Sequence, residues 1–310
     1  MVPLTPATVR NALFVALGIT TLGYLIVVLT AVRRRGSAGE VVRTPLNISV
    51  TSFVANFLDT LGVGSFATTT SAFRYWRMVR DERIPGTLNI GYALPTIAEA
   101  FIYTGIVPVD PKTLVMMIVS AILGAWLGAG IVSGWSRRRV QYGMGLTLLG
   151  FAVLLIASQL KLTPVGGTAL RLTGTMLYIG LIGNFMLGAI MTIGIGLYAP
   201  CLILVSMLGM DPKAAFPIMM GSCAFLMPLA SVRFIRSGSF DPKALVGMMF
   251  AGIPGVLIAA FIVKSLPLTA LQWLVVVVVT YTAINLIRAA RRDRQIAAAA
   301  TAAETQPAAP

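Results

Sequence analysis

Apolar positions along this chain run in blocks of about 20 residues, such as Asn11 to Val32 and Leu266 to Ile287, and that is the length a helix needs to cross the hydrocarbon core of a bilayer. No alternation of apolar and polar residues competes with this pattern, which argues against an outer-membrane barrel. The blocks predict crossing helices at about 85–106, 112–134 and 140–158, and again at about 214–232, 244–263 and 266–287. Two further apolar stretches, from about Leu46 to Phe73 and from about Leu172 to Leu208, are interrupted by Gly62-Val63-Gly64 and Gly194-Ile195-Gly196.

The basic residues turn this list of helices into a topology. Rich clusters occur at Arg33, Arg34, Arg35 and Arg43; at Arg74, Arg77, Arg80 and Arg83; at Arg137, Arg138 and Arg139; at Arg233, Arg236 and Lys243; and at Arg288, Arg291, Arg292 and Arg294. Such loops face the cytoplasm. The poor loops hold only Arg10, Lys112, Lys161 with Arg171, Lys213 and Lys264, and are expected outside. Residues 46–73 then have a cytoplasmic cluster at each end. A straight helix of that length would span about 42 Å, more than the core requires, and would put one cluster outside. A broken or re-entrant helical hairpin fits instead, and 172–208 reads as a second one entering from outside.

Each hairpin is followed by three ordinary spans, so each half crosses the membrane an odd number of times and the second half is inverted. A doubled stretch fixes the register: DPKTLVMMIVSAILGAWLGAGIV from Asp110 and DPKALVGMMFAGIPGVLIAAFIV from Asp241 are identical at 11 of 23 positions, among them Gly124 with Gly255 and Ala129 with Ala260. Internal similarity of this kind signals repeated architecture. A parallel repeat with single spans in place of the hairpins would break the arginine pattern. The expected fold is therefore all-α and polytopic. Residues 1–45 form an N-terminal transmembrane helix with a basic loop, 46–159 the first repeat, 172–288 the inverted second repeat, and the alanine-rich 289–310 a disordered tail. The first apolar block is longer than a signal-peptide core and lacks a convincing cleavage site, so it reads as a retained span. With the N-terminus outside, the C-terminus is cytoplasmic.

Composition agrees: 57% of the 310 residues are hydrophobic and 11% charged, against roughly one-quarter charged in soluble domains. The net charge of +14 does not indicate nucleic acid, because the cations sit in short loops rather than on a basic domain; they serve topology and lipid-surface anchoring. Cys201 and Cys223 lack the spacing or the histidine partners of a metal or redox site, histidine being absent altogether, so no metal or cofactor is expected. No Walker-type phosphate loop is present, which argues against an ATP-driven pump.

Candidate chemistry gathers at the glycine breaks. TLGVGSFATTT from Thr60 lies over TIGIGLYAPCL from Thr192, and a helix restarting beyond such a break offers unpaired N–H groups and a positive dipole end. Within a membrane an anion is the natural occupant. A packing role for Gly-x-Gly is the simpler reading of one copy; two copies at equivalent points favour a paired site. The candidate substrate-binding residues are Gly62, Gly64, Ser65, Thr68 and Thr69 in the first half, and Gly194, Gly196, Tyr198 and Cys201 in the second. Each hydroxyl has a rival role in bonding back to its own helix. Asp59 and Glu99 are the carboxylates expected well inside the hydrocarbon region, which makes them candidates for ion coupling, with the proton as the expected ion. The competing role for both is that of a buried acid bonded to neighbouring polar groups or to broken-helix backbone. Pro95 and Pro228 follow equivalent positions in the two halves and can hinge or merely bend their helices.

With the two glycine-rich breaks, Ala199-Pro200 after the second, and Asp-Pro-Lys turns leading into glycine-rich helices, the chain resembles the TauE/SafE family of sulfite exporters and related anion permeases over about Leu46 to Ile287. Members typically carry a proline after the glycine cluster in each half; here Thr68 stands where the second half has Pro200. The resemblance implies transport of sulfite, sulfonates or related small anions across a bacterial inner membrane. The residues themselves reach as far as a secondary transporter of a small anionic solute, with homo-oligomerisation left open. The rival reading is a membrane-embedded enzyme acting on a lipid or thiol through Asp59, Glu99 and Cys201, but no nucleophile stands beside a base.

Overall fold

The computed structural model describes residues 6–36, 45–127, 137–160, 167–192, 194–265 and 268–304. Arg43, Ala129, Lys161 and the end of the tail lie outside the described residues. Eleven α-helices are found among those described: α1 (Pro6–Gly36), α2 (Leu46–Thr60), α3 (Ser65–Tyr75), α4 (Ile84–Ile106), α5 (Pro111–Leu127), α6 (Arg137–Gln159), α7 (Gly174–Met191), α8 (Tyr198–Met207), α9 (Ala215–Ser237), α10 (Pro242–Ser265) and α11 (Leu268–Glu304). Four described helical stretches, at Pro6–Arg33, Gly174–Met191, Pro212–Ser237 and Pro242–Ile262, are long and apolar enough to cross a membrane. Their outward faces carry large apolar side chains such as Ile19, Ile182, Phe250 and Phe261, a surface that suits lipid. The chain is an all-helical, multi-pass membrane protein.

The Asp-Pro-Lys turns start helices. Asp110 Oδ2 accepts the Thr113 amide at 2.9 Å and its hydroxyl at 3.0 Å, and Asp241 Oδ1 accepts the Lys243 amide at 2.9 Å. The aspartate thus satisfies an orphan helix amide, while the proline fills the first position, where no N–H is needed. A third copy, Asp211-Pro212-Lys213, works in the same way, with Asp211 Oδ1 accepting the Lys213 amide at 2.8 Å.

Helices α4 and α9 pack on each other at the centre and are buried along most of their length. Around them α2 packs on α10, α7 on α5, and α6 on α11. Glycines set the closeness of two of these pairs. A Cβ on Gly124 would collide with the backbone carbonyl of Phe185, and one on Gly255 with that of Phe53, while Gly188 faces the Ala121 carbonyl in the same way. Small residues that let backbones meet are how helices associate in lipid, where hydrophobicity gives no drive for it. Helix α1 lies against α4, α5 and α9, and the Tyr24 hydroxyl donates to the Ile90 carbonyl.

Helix α11 runs to Glu304, because alanine has the best intrinsic helix propensity and the alanine-rich stretch extends a helix already nucleated against α6. The close glycine contacts have a measurable consequence. Gly124→Ala and Gly255→Ala should each destabilise the protein by about 1–3 kcal/mol through overpacking, read as a lower thermal midpoint in detergent. Gly18→Ala, where a Cβ meets nothing within 4 Å, should leave the midpoint unchanged.

Candidate functional site

Both glycine breaks separate real helices, and the backbone shows why glycine is needed. Gly62, Gly64 and Gly194 have φ of 95°, 85° and 82°, a region costly for any residue with a Cβ. Gly196 serves differently. A Cβ there would stand 3.6 Å from Phe66 Cβ, so this glycine is where the second break meets the restart of the first.

The first break is closed by its own side chains. The Gly62 amide donates to the Asp59 carbonyl at 2.7 Å and the Val63 amide to the Leu58 carbonyl at 3.0 Å, which ends α2. Asp59 then reaches across the break: Oδ1 accepts the Ser65 amide at 2.7 Å and Oδ2 the Ser65 hydroxyl at 2.9 Å. A buried carboxylate therefore caps α3, and a charged acceptor at a helix N-terminus is favourable both as a hydrogen bond and toward the helix dipole. The Val63 carbonyl accepts from Thr282 of α11 at 3.1 Å. Helix α3 runs back beside α2, since the Tyr92 hydroxyl lies 2.7 Å from Thr69 Oγ1 and 3.4 Å from Ser52 Oγ.

Glu99 of α4 ties the two breaks together. Its Oε1 accepts the Thr60 hydroxyl at 2.7 Å, and its Oε2 accepts the Tyr198 hydroxyl at 2.6 Å. Thr60 is the last residue of α2 and Tyr198 the first of α8, so one fully buried carboxyl spans the end of one broken helix and the restart of the other. The Tyr103 hydroxyl donates to the Thr60 carbonyl at 3.1 Å, which fixes the same corner. At the position matching Asp59 the second half has Met191, whose thioether cannot take the carboxylate's part.

The sequence candidates thus separate into groups. Asp59 and Ser65 pair with each other, Thr69 pairs with Tyr92, and Thr68 bonds back to the Ser65 carbonyl at 2.8 Å. Cys201 is buried and its amide continues the helix to Leu197, away from any described cavity. Gly194 and Gly196 line a cavity of about 280 Å³ bounded by α3, α6 and α11. Arg74, Gln141, Arg288 and Arg292 share its wall; the arginines signalled only topology in the sequence, and nothing local ties residue 141 to residue 288. Among the described residues no group of three or more His, Cys, Asp or Glu side chains could hold a metal.

No curated protein and no solved structure matches the chain. A family model does: residues 176–309, from the first turn of α7 onward and including the second break but neither Asp59 nor Glu99, match the model of the sulfite exporter TauE/SafE, a family of membrane transporters.

Proposed function

We propose that this protein is a secondary transporter that carries a small anion, sulfite or a related sulfur-containing or organic anion, across the bacterial inner membrane by alternating access around two re-entrant hairpins. The observation that carries the reading is the unequal occupation of the two breaks. At the first, the chain's own carboxylate holds the amide and hydroxyl at the start of α3. At the second, Met191 stands at the position of Asp59 and the glycines line a cavity. The second half thus lacks the carboxylate that the first half brings to its restarting helix, and a solute anion can take that role.

An inverted repeat supports the alternating motion. Exchanging the halves maps the α2–α10 pair onto α7–α5, α4–α10 onto α9–α5, and α3–α11 onto α8–α6, while α4–α9 and α6–α11 map onto themselves; every one of these pairs is in contact. Leading ends support it too. The Asp241 amide donates to Thr87 at 2.9 Å, which puts the start of α10 level with that of α4. The Asp110 and Asp211 amides donate to the Leu170 and Ala169 carbonyls, which gathers the mouth of the second hairpin with the starts of α5 and α9. The two hairpins therefore open at opposite ends of the bundle, with the arginine-rich end cytoplasmic, the N-terminus outside and the C-terminus inside.

Asp59 and Glu99 are the proposed coupling residues, with the proton as the coupling ion. A proton on Asp59 weakens the cap on α3, and one on Glu99 removes the charge that draws Thr60 and Tyr198 together, so each would loosen a junction of the two halves by the roughly 1.5–3 kcal/mol of a charged hydrogen bond. In proteoliposomes Asp59→Asn and Glu99→Gln should express and insert, yet lose the acceleration of sulfite flux by an imposed pH gradient. Flux and pH dependence matching the unaltered protein in both variants would remove the coupling role. Gly196→Leu should lower flux at least about tenfold, equivalent to some 1.4 kcal/mol on the barrier, because its side chain would fill the contact with Phe66. Unimpaired transport by Gly196→Leu would remove the breaks from the transport path.

A further inference from the structure

Helices α6 and α11 belong to opposite halves of the chain and neither carries a break, yet both contribute polar groups to the cavity beside Gly194 and Gly196. Its wall includes Arg74 from α3 and Arg288 and Arg292 from α11, and among the described residues no carboxylate lines it. Arg288 and Arg292 are one turn apart on the same helix face. The Nε of Arg74 is held by Asp81, 3.3 Å away on the exposed 3-10 turn Asp81–Arg83, and this fixes the base of that side chain at the cavity mouth. Asp81 answers the charge of Arg74, while Arg288 and Arg292 bring like charges together, which is unfavourable unless an anion lies between them.

Two buried groups on the same wall lack a partner. The hydroxyl of Thr70 and the carboxamide oxygen of Gln141, on residues 8% and 4% exposed, make no hydrogen bond. An unsatisfied buried polar group costs free energy and calls for an explanation. Thr70 differs from its neighbours in this: Thr68 and Ser71 bond back to their own helix, and Thr69 bonds Tyr92. Thr70 is left with a hydroxyl to donate, and a half-turn of the Gln141 carboxamide presents its NH2. Two guanidinium groups, those of Arg288 and Arg292, with a hydroxyl and an amide are a donor set that binds an oxyanion. At about 30 Å³ per water the cavity has the room of about nine waters, enough for a small oxyanion with part of its hydration and too little for a lipid chain.

We propose that this cavity is a binding site for a small oxyanion group, held by Arg288 and Arg292 with Thr70 and Gln141, through which the solute reaches the second break from the arginine-rich end. The physiological role rests on the transport reading, whereas the binding itself does not. The oxyanion is either the free solute or the phosphate of an anionic lipid headgroup, since arginines at a bilayer surface take both.

Titration calorimetry on the full chain in a non-ionic detergent, with sulfite, sulfate and phosphate as probes, tests the site. Saturable binding is expected, weakened roughly tenfold or more by Arg288→Gln and several-fold by Gln141→Leu and by the isosteric Thr70→Val. Arg291→Gln, at the separate cavity that holds Arg138 and Arg139, should bind as the unaltered chain does. The absence of saturable binding, or equal weakening by Arg291→Gln and Arg288→Gln, would overturn the site. In nanodiscs, phosphatidylglycerol that competes with sulfite where phosphatidylcholine does not would identify the occupant as the headgroup. Equal binding in both lipids would identify the free anion. Binding that persists in a chain showing no sulfite flux would retain the site and reject the transport role; flux that continues in Thr70→Val and Gln141→Leu with binding unaltered would reject the site and retain transport.

Discussion

Backbone amides and carbonyls at a helix break have no intrahelical partner, and a bilayer core offers no water to take their place. This chain has two breaks within one bundle, and much of its polar interior is arranged to answer that demand. Asp59 accepts from the first amide of α3, Thr282 donates to the Val63 carbonyl from the far end of the chain, and Tyr103 donates to the carbonyl of Thr60. Each partner is also a restraint on position. The first break is thereby locked to α4 and to α11, and Glu99 locks it to the second break through Tyr198.

Such locks are reversible where their charge is reversible. A carboxylate that accepts two hydroxyls holds them strongly because it is charged, and the surrounding low dielectric magnifies both the attraction and the cost of losing it. Glu99 touches one residue from each half, so its state bears on how the halves sit against each other. Asp59 acts within the first half alone. The glycine contacts of α5 with α7 and of α10 with α2 oppose loose motion of those pairs: with Gly124 at the Phe185 carbonyl and Gly255 at the Phe53 carbonyl, each hairpin is pinned to the span of the other half that it packs against. Movement within the bundle is therefore more economical between these pinned units than inside them.

How much of this was legible in the sequence depended on whether the determining interaction was local. Helix spans, the glycine breaks and the Asp-Pro-Lys starts follow from hydropathy length, φ requirements and capping chemistry, all within a few residues, and the helices lie close to the expected positions. The cap on α3 was half legible. Asp59 was visible as a carboxylate beside a break, and its partner Ser65 is only six residues away, but the turn that joins them depends on both Gly62 and Gly64 taking left-handed φ. The Thr60–Glu99–Tyr198 bridge and the arginine cavity were not legible, since each needs segments from three parts of the chain to meet. Arg74, Arg288 and Arg292 were read for topology alone, which concealed their proximity.

The two halves share their helix pairing and differ in where they keep charge. Residues matching the transporter family lie in the second half, with α8 and the cavity at Gly194 and Gly196; among the described residues both buried carboxylates lie in the first. A symmetric pair of anion sites would place two negative solutes near the shared Glu99, and the repulsion between charges at low dielectric makes that arrangement costly. A carboxylate of the chain, as Asp59 is at α3, satisfies the helix end from within. Glu99, donated to by Thr60 at the end of α2 and by Tyr198 at the start of α8, is the group that joins the two breaks directly.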